Sequence, residues 1–190
     1  MTRTKVVIIN GVAQSGKDTF VKFATDYCNL NEYANVLNIS SVDPIKDMLT
    51  SFGWNGDKTT DVRDIIAGIK KIWISAQNGP TMFMINNIMN YHMIHSDEDN
   101  IIFCHIREVE EIEKLEKAIS GMESIGISVS SILLKRDIET DDRRPQDKAD
   151  IISKYAYNIE INNKGALEQL EKIACEFIDM ILSEWEREYK

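Results

Sequence analysis

The 190-residue chain is predicted to fold as a single α/β domain, a parallel sheet covered by helices on both faces. Three observations carry this. Apolar, β-branched runs alternate along the chain with amphipathic stretches of helical period, the pattern of strands joined by crossover helices. The first and third of those runs are continuously apolar, as suits strands buried on both faces. Between the first run and the first amphipathic stretch lies Gly11-Val12-Ala13-Gln14-Ser15-Gly16-Lys17-Asp18-Thr19, with the Gly-x4-Gly-Lys spacing of a phosphate-binding P-loop set between strand and helix.

Taken in order, residues 4 to 9 form the first strand, around Val6-Val7-Ile8-Ile9. A helix starts at Lys17 and carries its apolar stripe from Phe20 to Leu30. Residues 35 to 40 read as a second strand. Pro44 then suits the first turn of a short helix, with Asp43 as its N-cap. Glycines and an asparagine make residues 53 to 58 a loop. A helix over residues 61 to 77 places Val62, Ile65, Ile66, Ile69, Ile72 and Trp73 on a core-facing stripe. Gly79-Pro80 breaks it, and a Met-rich helix follows from about Thr81 to His95, with Met82, Met84, Met89 and Met93 as adaptable core packing. Residues 100 to 104 form a third strand. Residues 108 to 120 form a charged helix whose glutamates make a solvated face. Residues 127 to 134 form a fourth strand, and residues 135 to 150 a charged, irregular segment. A short strand over 157 to 161, a turn at 162 to 165 and a helix over 166 to 186 complete the chain. That last helix buries Leu167, Leu170, Ile173, Ala174, Phe177, Ile178 and Ile181.

Composition narrows the function classes. The formal net charge of −9 disfavours a binder of nucleic-acid polymers, which needs a basic face. It leaves room for a nucleotide enzyme with a local basic pocket. The three cysteines, Cys28, Cys104 and Cys175, have no metal-ligand spacing and read as reduced thiols of a cytoplasmic protein. The histidines, three in number, are too few and too poorly spaced for a zinc site. The N-terminal apolar run is too short for a signal peptide or a membrane span. No membrane partner is expected. The oligomeric state is left open, a homodimer among the options.

Ligands of parallel α/β sheets bind at the carboxyl ends of the strands, and the polar residues of interest fall there. Gly11 and Gly16 allow a tight turn and close backbone approach to a polyphosphate. The N–H groups of Ala13, Gln14, Ser15 and Gly16, with the helix N-terminus, form the anion cradle, and Lys17 reaches the β- and γ-phosphates. The motif departs from pattern in carrying Asp18 after the lysine, with Thr19 one place later. Asp18 serves either as a hard oxygen ligand for Mg²⁺ or as a first-turn acid stabilised by the helix dipole, and Thr19 is the other candidate ligand. Lys46 and Arg63 are candidates for holding an acceptor phosphate, and Arg107 is placed to hold one bidentately. Arg136, Arg143 and Arg144 sit in the irregular segment after the fourth strand, as either lid arginines closing over a transferring phosphoryl group or a solvated loop. His105 ends the third strand where many P-loop enzymes carry an acid. It hydrogen-bonds a phosphate or a water there, or caps the strand.

These residues resemble a known group. Ser15-Gly16-Lys17-Asp18-Thr19 is similar to the loop of phage deoxynucleoside monophosphate kinases and animal-type phosphomevalonate kinases. Asp43-Pro44-Ile45-Lys46-Asp47 is similar to the phage enzymes' acceptor-side segment. Val62-Arg63 resembles their arginine-bearing helix start, and His105-Ile106-Arg107-Glu108 their Asp-x-Arg segment. The stretch from Tyr157 to Leu167 looks like their final strand, Asn-containing turn and helix. The resemblance implies an adenylate-kinase-like three-layer P-loop fold, with an acceptor-binding helical region at about 43–95 and a lid at about 136–150. It implies ATP as donor, Mg²⁺ as cofactor and a nucleoside monophosphate as acceptor. By that resemblance Gly11 to Thr19 and Arg136 bind ATP. Asp43, Lys46, Arg63, His105 and Arg107 line the acceptor side. Lys17, Arg107, Arg136 and Arg143 act on the transferring group. The activity so implied is phosphorylation of a (deoxy)nucleoside monophosphate. The alternatives are a kinase of another small phosphorylated metabolite and a nucleotide-binding protein without turnover.

Overall fold

A computed structural model of the chain describes residues 2–57, 59–136 and 155–187. Five strands form one sheet: β1 (Thr4–Asn10), β2 (Asn35–Ser40), β3 (Asn100–His105), β4 (Ile127–Lys135) and β5 (Ile159–Asn162). Their spatial order is β2-β3-β1-β4-β5, and every pairing is parallel. The helices among the described residues are α1 (Lys17–Asn31), α2 (Asp43–Ser51), α3 (Thr60–Gln77), α4 (Gly79–Ile94), α5 (Val109–Ile119) and α6 (Leu167–Arg187).

Strand alternation sorts the core into two layers. Val7 and Ile9 of β1, with Ile101 and Phe103 of β3, meet Phe20, Val21 and Ala24 of α1 and Phe177, Ile178 and Ile181 of α6. Val6 and Ile8, with Ile102 and Cys104, meet Met84 and Ile88 of α4 and Ile112, Leu115 and Ile119 of α5. The two faces explain why β1 is apolar throughout rather than at every second residue. Phe20 is fully buried and packs against Phe177 with ring centroids 5.6 Å apart, a contact that fastens α1, and the loop before it, to α6. Burial of each such side chain contributes about 1.5–3 kcal/mol.

Register sets the functional edge. Ile9 lies level with His105, and His105 with Ser40; Asn10 lies level with Leu133. The carboxyl ends of the strands therefore finish together, with the loop at 11–16 rising from the middle one.

Several helical expectations are corrected by packing. In α3 Val62, Ile66, Ile69 and Trp73 of the predicted stripe are half-buried beside the buried Lys70, while Ile65, 48% exposed, and Ile72, 71% exposed, face outward. This helix packs on α2 and α4 rather than flat on the sheet, and offers the core little area. Met82 and Met93 are exposed where Met84 is buried, and Leu167 is exposed at the start of α6. Glu111, expected on a solvated face, is buried. Its carboxylate accepts a hydrogen bond from Thr81 Oγ1 at 2.6 Å and pairs with Lys114 Nζ at 2.7 Å. The cap of α2 is Val42. Asp43 instead accepts from the Ser40 backbone N–H at 2.6 Å.

The α3–α4 break falls on Asn78, in the left-handed region at φ 49°, and Gly79-Pro80 opens α4. A Cβ built on Gly79 would lie 1.7 Å from Nε1 of Trp73. Gly79→Ala is therefore expected to displace the indole and lower stability by about 1–3 kcal/mol. Urea unfolding followed by tryptophan fluorescence measures this; an unchanged midpoint would show that the indole is not wedged there.

Candidate active site

The loop between β1 and α1 is shaped by its glycines. Gly11 has φ 152° and Gly16 φ 98°, and Gln14 takes the left-handed region at φ 63°. A Cβ on Gly11 would fall 2.4 Å from the Leu134 carbonyl oxygen, and one on Gly16 2.6 Å from Nδ2 of Asn163. The Gly11 N–H donates to Asn10 Oδ1 at 2.7 Å, and the Ser15 N–H to the Val12 carbonyl at 3.2 Å. Lys17 folds back over the loop, its Nζ donating to the carbonyls of Gly11 at 2.6 Å and Val12 at 2.9 Å. An ammonium resting on neutral carbonyls beside helix-terminal N–H groups is the arrangement that accepts an anion. Ala13 and Thr19 are half-buried, and Gln14 and Asp18 exposed.

Next to the loop stand residues from the ends of β2 and β3. His105 Nδ1 lies 3.9 Å from Asp18 Oδ1. Lys46 Nζ pairs with Asp43 Oδ1 at 2.8 Å. Burial, the largest influence, pushes the His105 pKa down from 6.5 to about 4; the charges of Asp18 and Asp43 raise it and those of Lys17 and Lys46 lower it. The imidazole is thus neutral near pH 7, and the same interactions show that all five residues occupy one electrostatic neighbourhood. Its Nε2 is buried and has no hydrogen-bond partner among the described residues.

The other predicted residues are less convergent. Arg107 is exposed two residues beyond β3, with its carbonyl accepting from Asn10 Nδ2 at 3.1 Å. Arg63 is exposed in the first turn of α3. Arg136 is exposed directly after β4. Arg143 and Arg144, with most of the predicted lid, lie outside the described residues.

The side chains present fit a divalent cation. Asp18 offers an exposed carboxylate and Thr19 a half-buried hydroxyl, both in the first turn of α1. Oxygen donors of this type suit Mg²⁺.

Some supporting residues escape sequence reasoning. Asn10, fully buried, joins the loop to the Arg107 carbonyl and to the Tyr157 hydroxyl at 2.7 Å. Asn163, also buried, donates to the Ser15 carbonyl at 2.9 Å and so clamps the loop from the β5–α6 turn. Lys70, buried in α3, donates to Ser41 Oγ at 2.7 Å and pairs with Glu108. That network ties α3 to the residues following β2 and β3. Asn163 had one visible signal, its place in an Asn-containing turn. Lys70 had none, since a lysine at helical spacing reads as a surface cation.

No protein-family model matches the chain, and no curated protein sequence matches it. Solved structures do. The Mycobacterium tuberculosis APS kinase in complex with AMPPNP and APS superposes with a TM-score of 0.52 and 12% identity, over 95% of this chain and 99% of that one. The crystal structure of APE1195 gives a TM-score of 0.51 and 13% identity, over 95% and 98%. At such identities the likeness is one of fold. The chain shares the α/β fold of these two solved structures, the fold class its sequence predicts.

Proposed function

We propose that the protein is an ATP-dependent phosphotransferase that phosphorylates a (deoxy)nucleoside monophosphate to the diphosphate. The observation that carries this is the shared edge. A loop with the geometry of a polyphosphate cradle meets, at one level of the sheet, Lys17, Asp18, Asp43, Lys46 and His105. A fold neighbour solved with AMPPNP, a non-hydrolysable ATP analogue, supports the donor assignment.

In this mechanism the loop N–H groups orient the β- and γ-phosphates. Lys17 leaves the Gly11 and Val12 carbonyls to neutralise charge on the transferring group. Lys46, Arg63 and Arg107 hold the acceptor phosphate in line, and Asp43 steers Lys46. Arg136, with Arg143 outside the described residues, adds positive charge and excludes water. Asp18 and Thr19 would hold Mg²⁺, which supplies charge neutralisation across the phosphates. Phosphoryl transfer needs positioning and electrostatics rather than a side-chain nucleophile, and the acceptor phosphate is itself the nucleophile.

A second acceptor class has an observation in its favour. A nucleoside monophosphate needs a slot for its base, and the two tryptophans of the helical region at 43–95, Trp54 and Trp73, both have structural contacts. Trp54 donates to the Asp57 carbonyl at 3.0 Å, and Trp73 lies against Gly79 and Phe83. A small phosphorylated metabolite needs no such slot. Measuring ADP release across ribo- and deoxyribonucleoside monophosphates and a set of other phosphomonoesters separates the two. Turnover selective for one base is the expected result. Turnover with a non-nucleotide phosphomonoester alone replaces the acceptor, and nucleotide binding without acceptor-dependent ADP release ends the kinase proposal.

A further inference from the structure

Helix α3 carries an apolar row that the fold leaves uncovered. Lys70 is its buried residue, and Ile65 and Ile72 lie about 140–160° away from it around the helix axis. They are 48% and 71% exposed. With Val62, Ile69 and Ala76 they form the series 62, 65, 69, 72, 76, apolar at alternating steps of three and four. That is the seam of a two-helix packing rather than a scatter of single surface side chains. Val62 and Ile69 are half-buried along its edge, and Ala76 is exposed. Gly68 stands in the middle of the outward face. A Cβ built on it meets nothing within 4 Å, so no contact among the described residues calls for a glycine there, and glycine weakens a helix interior. What glycine does permit is the close approach of another backbone.

We propose that this face pairs with its own copy, α3 against α3 in antiparallel orientation about a two-fold axis at the Gly68–Ile69 step, so that the protein is a homodimer. A second copy is the occupant because the face is complementary to itself, as a two-fold interface requires. Ile65 and Ile72 are equidistant from that step. The axis therefore sets Ile65 of one protomer against Ile72 of its partner and brings the two Gly68 residues together. Charge points the same way. Asp61 and Asp64 lie in the first half of α3 and the exposed Lys71 in the second, and Asp64 and Lys71 share one flank of the row, two turns apart. An antiparallel pair turns that flank against itself, so the acidic half of each protomer faces the lysine of the other. A parallel pair would set like charges level. The row spans about 21 Å at the α-helical rise, a small interface, and a dissociation constant in the micromolar range is expected. The inference does not depend on the reaction the protein catalyses.

Sedimentation equilibrium of the full chain over a wide concentration range tests it. The expected result is a reversible monomer–dimer equilibrium whose dissociation constant rises at least ~10-fold in Ile72→Glu, which would bury an unpaired charge at the contact. Gly68→Ala separates the interface from the fold. Its Cβ has open space in the monomer and favours helix, so thermal unfolding at low concentration should hold or rise while the dimer weakens. Orientation is read by cross-linking in a Cys175→Ser background, where the remaining Cys28 and Cys104 are buried. Ile65→Cys mixed with Ile72→Cys should form a disulfide between protomers faster than either variant alone. A wild-type chain that stays monomeric at every concentration overturns the proposal and leaves the face to a partner of another kind. A dimer that both Ile72→Glu and Gly68→Ala leave unchanged overturns the assignment of the face. Faster cross-linking of either cysteine variant with itself overturns the antiparallel register.

Discussion

Lys17→Ala is expected to reduce acceptor-dependent ADP formation by roughly 10²–10³-fold, the scale of losing a preorganised charge at a developing transition state. The side chain is half-buried, and its Nζ is engaged by the carbonyls of Gly11 and Val12. Those are weak competitors for an ammonium beside a polyphosphate. Transfer of Nζ from carbonyl to phosphate oxygen gains charge-assisted hydrogen bonds without moving the backbone. Because the charge matters most as the γ-phosphoryl group departs, kcat should fall further than KM rises. Thermal unfolding of the variant should be nearly unchanged, because the loop keeps its own hydrogen bonds at Gly11 and Ser15. A coupled ADP assay decides the matter. Turnover near the wild-type rate would mean that the loop is not the donor site.

Gly16→Ala should damage both the loop and the fold. Gly16 sits at φ 98°, where an L side chain is strained by roughly 1–2 kcal/mol. Its new Cβ would also lie 2.6 Å from Asn163 Nδ2 and 3.3 Å from Leu170 Cδ2. Asn163 is buried and holds the Ser15 carbonyl, so it cannot retreat without releasing the loop. A combined loss of about 2–4 kcal/mol is expected from the strain and the overpacking, with weakened AMPPNP binding. Adding Asn163→Ala should recover the steric part of the stability loss but not the binding, because the clamp on Ser15 is then gone. Chemical unfolding and calorimetry on the single and double variants test this. A double variant that regains full AMPPNP affinity would show that Asn163 does not shape the cradle.

In the proposed function the cluster around His105 joins donor and acceptor sides: Lys17 and Asp18 would belong to the donor loop and Asp43 and Lys46 to the acceptor side, and the charges of all four act on His105. The Lys70 contacts with Ser41 and Glu108 place a second buried tie a short way along the same edge. Helix α3 is thus tied to the strand ends by polar contacts of its buried Lys70, which in the proposed function would anchor the acceptor side.

Much of the fold was legible because its signals are local. Continuous apolar runs identified β1 and β3 as buried strands, and the limits of β2 coincide with those expected. Helices α1 and α6 followed their stripes except at Leu30 and Leu167, which are exposed. Legibility failed where burial depends on neighbours rather than on period. The stripe of α3 has helical spacing, yet Ile65 and Ile72 face outward and Lys70 inward, because α2 and α4 cover only part of the helix. Glu111 looked solvated among other glutamates, yet Thr81 and Lys114 supply the partners that make its burial affordable. Among the site residues, Lys17, Asp18, Lys46 and His105 were named from motif and position and Asp43 through the resemblance, and the five lie near one another. Arg63, Arg107 and Arg136 are exposed, and their roles rest on the proposed mechanism.

By itself the sequence determined the unit of strand, glycine loop and helix from Thr4 to Asn31. That unit is encoded in consecutive residues: an apolar run, two glycines at required conformations, a lysine and an amphipathic stripe. Only the tertiary structure decided which distant residues meet it. Parallel pairing in one register sets Ile9, His105 and Ser40 level, which brings an imidazole within 3.9 Å of Asp18 across 87 residues of chain. The turn after β5 returns Asn163 to Ser15. Periodicity records how many faces of an element are covered. Which side chain lies opposite another is a property of register and packing, and it is there that the chemistry of this site is assembled.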